Sequence, residues 1–229
     1  MTGWTEWRGT PDDGAAHQTI LTWLQNAVTA GFLDQTQPLS QRVKGNLGEF
    51  IAYWIGKSYV FTNVAIVHTS NAWDPLSEIS RPDLDIVWLY FGETEADDWA
   101  VLQEVKTTGG NSLSIADGLI KDYEKLFGEN VRLTLQTRLS ALKNKLDQHG
   151  QGYLSTRVSA LGGPRPSQSR GIRLAPTLVH DAALDSSGKM IAIRQVLIGQ
   201  GWSTDAVECW SVALGEIEQR LVRLARGQL

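Results

Sequence analysis

Residues 81–108 constrain the fold more than any other stretch. Arg81-Pro82-Asp83-Leu84-Asp85-Ile86-Val87-Trp88-Leu89-Tyr90-Phe91 and Trp99-Ala100-Val101-Leu102-Gln103-Glu104-Val105-Lys106-Thr107-Thr108 are both rich in β-branched and aromatic residues. The polar segment between them, 92–98, opens with Gly92. This pattern predicts a β-hairpin with a longish loop. Side chains alternate faces along a strand. Asp83 and Asp85 therefore share one face of the first strand, and Glu104 and Lys106 share one face of the second. A register that joins those faces brings two or three carboxylates and one lysine together. Like charges crowded into an apolar sheet are costly unless a cation sits among them. A hard divalent cation with oxygen ligands is the natural occupant.

The 229 residues suit a single domain. We divide it into an N-terminal helical extension (1–40), a motif-bearing core (41–127) and a basic helical region with the remaining strands (128–229). A 42% hydrophobic fraction supports a full core. No apolar run approaches the roughly 20 residues of a membrane span, and the first residues carry no signal-peptide pattern. A cytoplasmic, membrane-free protein is the expectation. The one cysteine, Cys209, excludes an internal disulfide framework and a multi-cysteine zinc site. It lies between apolar residues in a predicted strand and reads as core. Charge is unevenly spread. Residues 1–118 hold 6 Lys/Arg against 15 Asp/Glu, and residues 119–173 hold 10 against 4. An acidic first half followed by a basic middle suits a polyanion whose phosphates need a metal.

In chain order, 1–14 reads as an irregular arm and 17–30 as a helix. A second helix over 41–57, N-capped by Ser40, has Leu47, Phe50, Ile51 and Trp54 on its apolar face. Glu49 points elsewhere on that helix, with Gly45, Gly48, Ala52 and Tyr53 as neighbours, and the small residues around it leave room for something to approach. A short strand over 63–68 and a loop over 70–80 precede the hairpin. Helices are predicted at 115–127 and 131–147, the latter interrupted at 149–152. A loop spans 162–171. Strands at 172–180 and 206–214 flank a helix at 189–199, and an amphipathic helix at 216–226 ends the series. The fold class is α/β, a mixed central sheet flanked by helices. No Ser/His/Asp order or phosphate-loop glycine pattern is present, and His68 and His180 read as structural.

A helix bearing an acid, then Pro82-Asp83-x-Asp85, then Glu104-Val105-Lys106 at the end of the next strand, then a helix, resembles the PD-(D/E)XK nuclease superfamily. The resemblance covers roughly residues 41–127. It implies a restriction-endonuclease-like core with a mixed four-stranded sheet between helices. It also implies Mg²⁺ (or Mn²⁺) on the strand acids, a lysine that assists the attacking water, and a helical glutamate, Glu49, completing the metal shell. Nucleases of this size and type often act in bacterial anti-phage or restriction systems, sometimes with a helicase or ATPase partner.

Residue chemistry agrees with that expectation. Phosphodiester hydrolysis needs a nucleophilic water and neutralised charge at phosphorus. Mg²⁺ takes one or two protein carboxylates and keeps several waters. Asp85 and Glu104 can supply these, the Val105 carbonyl a neutral oxygen, and Lys106 a hydrogen bond to water and charge for the transition state. Asp83 is either a supporting acid or the true ligand; strand parity does not choose. Lys121 and Lys125 share a helix face beside the catalytic strand. With Arg157, Arg165, Arg170 and Arg173 they are candidates for phosphate contacts. DNA is favoured over RNA as the substrate. A catalytically silent nuclease-fold module and a dimeric junction resolvase are the alternatives, the latter requiring a homodimer.

Overall fold

The computed structural model describes residues 4–9, 40–61, 66–70, 85–110, 112–130, 134–148 and 150–219. Its strands are β1 (Trp4–Gly9), β2 (Ile66–Ser70), β3 (Ile86–Tyr90), β4 (Trp99–Thr107), β5 (Ile172–Asp181) and β6 (Cys209–Leu214). Its helices are α1 (Gln41–Ile55), α2 (Asp117–Glu124), α3 (Leu135–Gln148), α4 (Gly152–Val158) and α5 (Ser187–Gly199). The strands form one mixed sheet in the order β1-β6-β5-β4-β3-β2. The pairs β3–β4 and β2–β3 are antiparallel. Those among β4, β5, β6 and β1 are parallel.

Parallel neighbours need long crossovers. Helices α2, α3 and α4 make the connection from β4 to β5, and α5 makes that from β5 to β6. All four bury apolar side chains against one face of the sheet: Leu119 and Tyr123 of α2, Leu139 and Leu142 of α3, Leu154 of α4, Ile193 and Leu197 of α5. The opposite face is covered by α1 through Leu47, Ile51, Ala52 and Tyr53, joined by Ile217. The mixed α/β class expected from the sequence is thus observed. β4 lies inside the sheet, clad on both faces, and seven of its nine residues are buried.

The predicted hairpin is β3 and β4. The predicted strands at 172–180 and 206–214 are β5 and β6, the latter beginning only at Cys209 after a 3₁₀ turn. Two readings are corrected. Residues 4–9, read as part of an irregular arm and a helical extension, form an edge strand paired in parallel with β6. Trp4, Thr5 and Trp7 suit a strand, but their hydrophobicity does not alternate, and the partner is some two hundred residues away. The segment 152–158 is a helix where none was expected, since Gly150-Gln151-Gly152 signals a break. Gly150 is the break, with φ 73°, and helix resumes two residues later. The helix expected over 41–57 ends as α at Ile55 and continues as a π-helical turn, Gly56–Val60. A Cβ on Gly56 would stand 2.4 Å from the Trp88 ring, so that turn lies directly on the sheet. The helix expected over 17–30, Asp83, and the residues beyond 219 lie outside the described residues.

Candidate active site

The β3–β4 ladder runs from Tyr90–Trp99 to Ile86–Gln103. It carries Asp85, the next residue outward, to the position opposite Glu104. The two carboxyl groups adjoin closely enough for each to act on the other's ionisation. The ladder with β3 stops at Gln103, so Val105 extends past it; its N–H donates to Asp85 Oδ2 at 2.7 Å. The backbone of the Glu-Val-Lys segment is thereby capped by the aspartate. This is the convergence that strand parity predicts.

Glu104 points into the helical layer of α2 and α3 and is only 5% exposed. Its Oε1 accepts from Arg138 Nη1 of α3 at 3.0 Å. Its backbone N–H donates to the Tyr123 hydroxyl at 3.2 Å, and that hydroxyl donates to the Leu102 carbonyl at 2.9 Å. Lys106, two residues on and on the same face, reaches across α2 and pairs with Asp122. A Cβ on Gly118 would stand 3.0 Å from Lys106 Cε, so the absence of a side chain there gives the lysine its path. Asp122 also pairs with Lys125.

Glu49 arrives from the other side of the sheet. A Cβ on Gly48 would fall 1.7 Å from Thr107 Oγ1, so α1 lies with its backbone against the end of β4. Of the small residues around Glu49, Gly48 admits the strand itself, whereas a Cβ on Gly45 would meet nothing within 4 Å. The Thr107 hydroxyl at this contact is buried and lacks a hydrogen-bond partner among the described residues. Glu49 is close enough to Asp85 and Lys106 for both charges to act on it.

The electrostatics follow from burial and crowding. Burial, then the charge of Asp85, pushes Glu49 up to about 8, against the pull of Lys106. Burial raises the Asp85 pKa despite the Val105 N–H. Burial followed by Asp85 raises Glu104 well above the carboxylate range, with Arg138 opposing. Burial works against the Lys106 ammonium, but the hydrogen bond and charge of Asp122 outweigh it and hold its pKa above the ordinary lysine value. For Asp122, burial is outweighed by the hydrogen bonds from Lys106 and Lys125, and its pKa falls.

Three carboxylates that resist ionisation, beside a lysine that holds its proton, make an all-oxygen donor set suited to a hard divalent cation. Among the described residues, no three His, Cys, Asp or Glu side chains already close into a metal-ligand shell. The donor chemistry of Asp85, Glu104 and Glu49 fits Mg²⁺ or Mn²⁺, with Asp85 and Glu104 the adjacent pair.

The basic candidates divide. Lys121 is exposed on α2, and Lys125 is tied to Asp122. Arg157 is engaged within the protein: its guanidinium holds Asp98 and the Gly92 carbonyl, clamping the β3–β4 loop. Arg165 and Arg170 are exposed in the loop leading into β5, and Ile172 pairs with Ala100 near the start of β4. Glu104 and Lys106 lie four and six residues further along, a distance of roughly 13–20 Å at the strand rise. The arginines therefore stand at the opposite end of the sheet from the carboxylates. There Arg170 and Arg173 line a cavity of about 610 Å³ with Tyr90 and Trp99. Arg173 stacks on the Trp99 ring, 4.9 Å from its centroid.

The structure adds Asp122, Tyr123 and Arg138 to the site, none of which was singled out for it from sequence. Arg138 left a readable signal. The buried positions of α3 include Leu135, Leu139, Leu142 and Leu146, and Arg138 sits on that apolar stripe. His180 is structural, as expected, with its ring between the Asp181 carbonyl and the Ser211 hydroxyl. Cys209 is core. No protein-family model matches the chain, and no curated protein matches it.

Proposed function

We propose that this chain is a divalent-cation-dependent nuclease with a restriction-endonuclease-like core, hydrolysing phosphodiester bonds, of DNA in preference to RNA. One observation carries the reading. Asp85 and Glu104 meet at the end of the β3–β4 ladder, and Lys106 projects beside them on the same face of β4. The order of these residues in the chain matches the Pro-Asp-x-Asp and Glu-Val-Lys pattern. Glu49, on a helix packed against the same strand end, supplies the remaining acid.

Asp85 and Glu104 would hold the metal, with the Val105 carbonyl and Glu49 as further oxygens. A bound Mg²⁺ would neutralise charge on the scissile phosphate and ease ionisation of a water. Lys106, kept protonated by Asp122, offers an ammonium that orients the water and offsets charge gathering on the phosphoryl oxygens. It serves as a charge and hydrogen-bond donor and not as a base. Tyr123 fixes the backbone of β4 under Glu104. Within this reading the protein is a candidate effector of an anti-phage or restriction system, with a helicase or ATPase as the kind of partner expected.

A second reading is favoured by one feature. Glu104 and Lys106 are each already paired inside the protein, with Arg138 and Asp122. Such closure suits a silent nuclease-fold binding module. Incubation with linear, circular and single-stranded DNA, with Mg²⁺ or EDTA, separates the two. Cleavage that needs the cation and vanishes in Lys106→Ala supports the nuclease. DNA binding without cleavage by the parent, in either Mg²⁺ or Mn²⁺, supports the silent module.

A further inference from the structure

Arg138 stands where an amphipathic helix would place an apolar residue. Leu135, Leu139, Leu142 and Leu146 of α3 face the sheet, and Arg138 lies among them, 8% exposed. Burying a guanidinium costs several kcal/mol unless it is well paired. Its acidic partner is Glu104, the least exposed acid of the cluster. α3 is closely packed at that turn. A Cβ on Gly162 would stand 2.6 Å from Leu139 and 3.2 Å from Leu135, so the chain leaving α4 lies against the helix at the turn that bears Arg138.

Arg138 donates to Oε1 of Glu104, and the strand register sets that residue opposite Asp85. Groups that hydrogen-bond a ligating carboxylate fix its orientation, and their loss typically costs metal affinity 10–100-fold. We propose that Arg138 is a positioning residue of the cation site: its guanidinium holds Glu104 so that the carboxylate is presented toward Asp85. The proposal rests on the reading of Asp85 and Glu104 as cation ligands. Arg138 itself touches neither cation nor substrate in this arrangement. It acts through Glu104.

The test measures Mn²⁺ binding by calorimetry or electron paramagnetic resonance, without DNA, in the parent, Arg138→Met, Arg138→Lys and Glu104→Gln. The Kd should rise about 10–100-fold in Arg138→Met. Arg138→Lys, which keeps the charge but loses the planar fork, should recover part of that loss. In the Glu104→Gln background, Arg138→Met should add nothing further, since a residue acting through Glu104 has no effect once that carboxylate is gone. A lowered melting point with an unchanged Kd would mark Arg138 as structural only and overturn the proposal. Should Arg138→Met not fold, Arg138→Lys decides, with parental affinity overturning the proposal. A parent that binds no Mn²⁺ at millimolar concentration removes the cation site itself and takes the proposal with it. An intact parental site with an unaffected variant removes the proposal alone.

Discussion

Gln103 and Glu104 are neighbours in β4, almost equally buried, and face opposite sides of one sheet. On the α1 side, the Gln103 carbonyl oxygen accepts from Trp88 Nε1 at 2.8 Å and its amide donates to Thr177 Oγ1 at 2.9 Å. That hydroxyl donates onward to the Ala175 carbonyl at 2.9 Å. A neutral chain thus ties β3, β4 and β5 together in register. On the α2–α3 side, Glu104 lies against another carboxylate and takes its compensation from Arg138. Burial alone therefore does not mark a site. A satisfied neutral network specifies structure. A cluster of like charges that folding must offset is the arrangement expected where chemistry is done.

The sharpest way to break this comparison is to unbalance the charged side. Arg138→Met leaves Glu104 buried and unpaired, which should cost about 3–5 kcal/mol of stability. Glu104→Met added to it removes the stranded charge and should restore most of the loss, since a buried pair replaced by apolar residues is often neutral. Chemical denaturation of the two variants checks this. A double variant as unstable as the single one would mean that Glu104 is not what Arg138 compensates.

The neutral side should respond less, and without touching function. Gln103→Leu removes the acceptor of Trp88 Nε1 and the donor to Thr177 Oγ1 and should cost about 1–3 kcal/mol. Mn²⁺ affinity and any cleavage should stay at the parental level once the protein is folded. A loss of Mn²⁺ binding in this variant would erase the distinction between the two faces.

A change of opposite sign is expected at Asp85. Asparagine keeps an oxygen to accept from the Val105 N–H but removes one of two adjoining carboxylates. In EDTA, Asp85→Asn should melt no lower than the parent, with a gain of up to about 1 kcal/mol from relieved repulsion. With Mg²⁺ the order should reverse, because the parent alone gains from the bound ion. Equal melting points of parent and variant in both media would remove Asp85 from the cation site.

Much of the charged side was legible before any coordinates. Strand parity put Asp85 on one strand face and Glu104 with Lys106 on another, and left the register that joins them, and the choice between Asp83 and Asp85, to the structure. Glu49 was legible through its small neighbours, although what Gly48 admits is β4 itself. What escaped is long-range. Asp122 and Arg138 reach Lys106 and Glu104 across helix packing whose rotation no local pattern fixes, and basic residues on a helix read first as solvated. β1 escaped for a similar reason, its pairing with β6 being set by tertiary structure. The basic residues of 119–173 read together as candidates for phosphate contacts, yet the sheet carries Arg165 and Arg170 to the end opposite the carboxylates.

The smallest effect concerns the lysines of α2, where stability and catalysis should stay put and only salt dependence should move. By sequence, Lys121 and Lys125 are equivalent phosphate contacts, and their joint loss would flatten the salt slope of DNA binding by about two units. The structure makes them unequal. Lys121 is exposed, and Lys125 is paired with Asp122, the same carboxylate that holds Lys106. A lysine that must leave an ion pair to meet a phosphate gains less from the exchange. Lys121→Ala should therefore flatten the slope by about one unit, and Lys125→Ala by less. Both should weaken binding alike on every sequence, since phosphate contacts carry no sequence information. Neither should change Mn²⁺ affinity, because Asp122 keeps Lys106 as its partner when Lys125 is lost. Binding titrations across a range of salt concentrations decide it. Equal slopes for parent and both variants would make these lysines ordinary solvated surface, and a larger effect at Lys125 than at Lys121 would show that the Asp122 pair opens to the substrate.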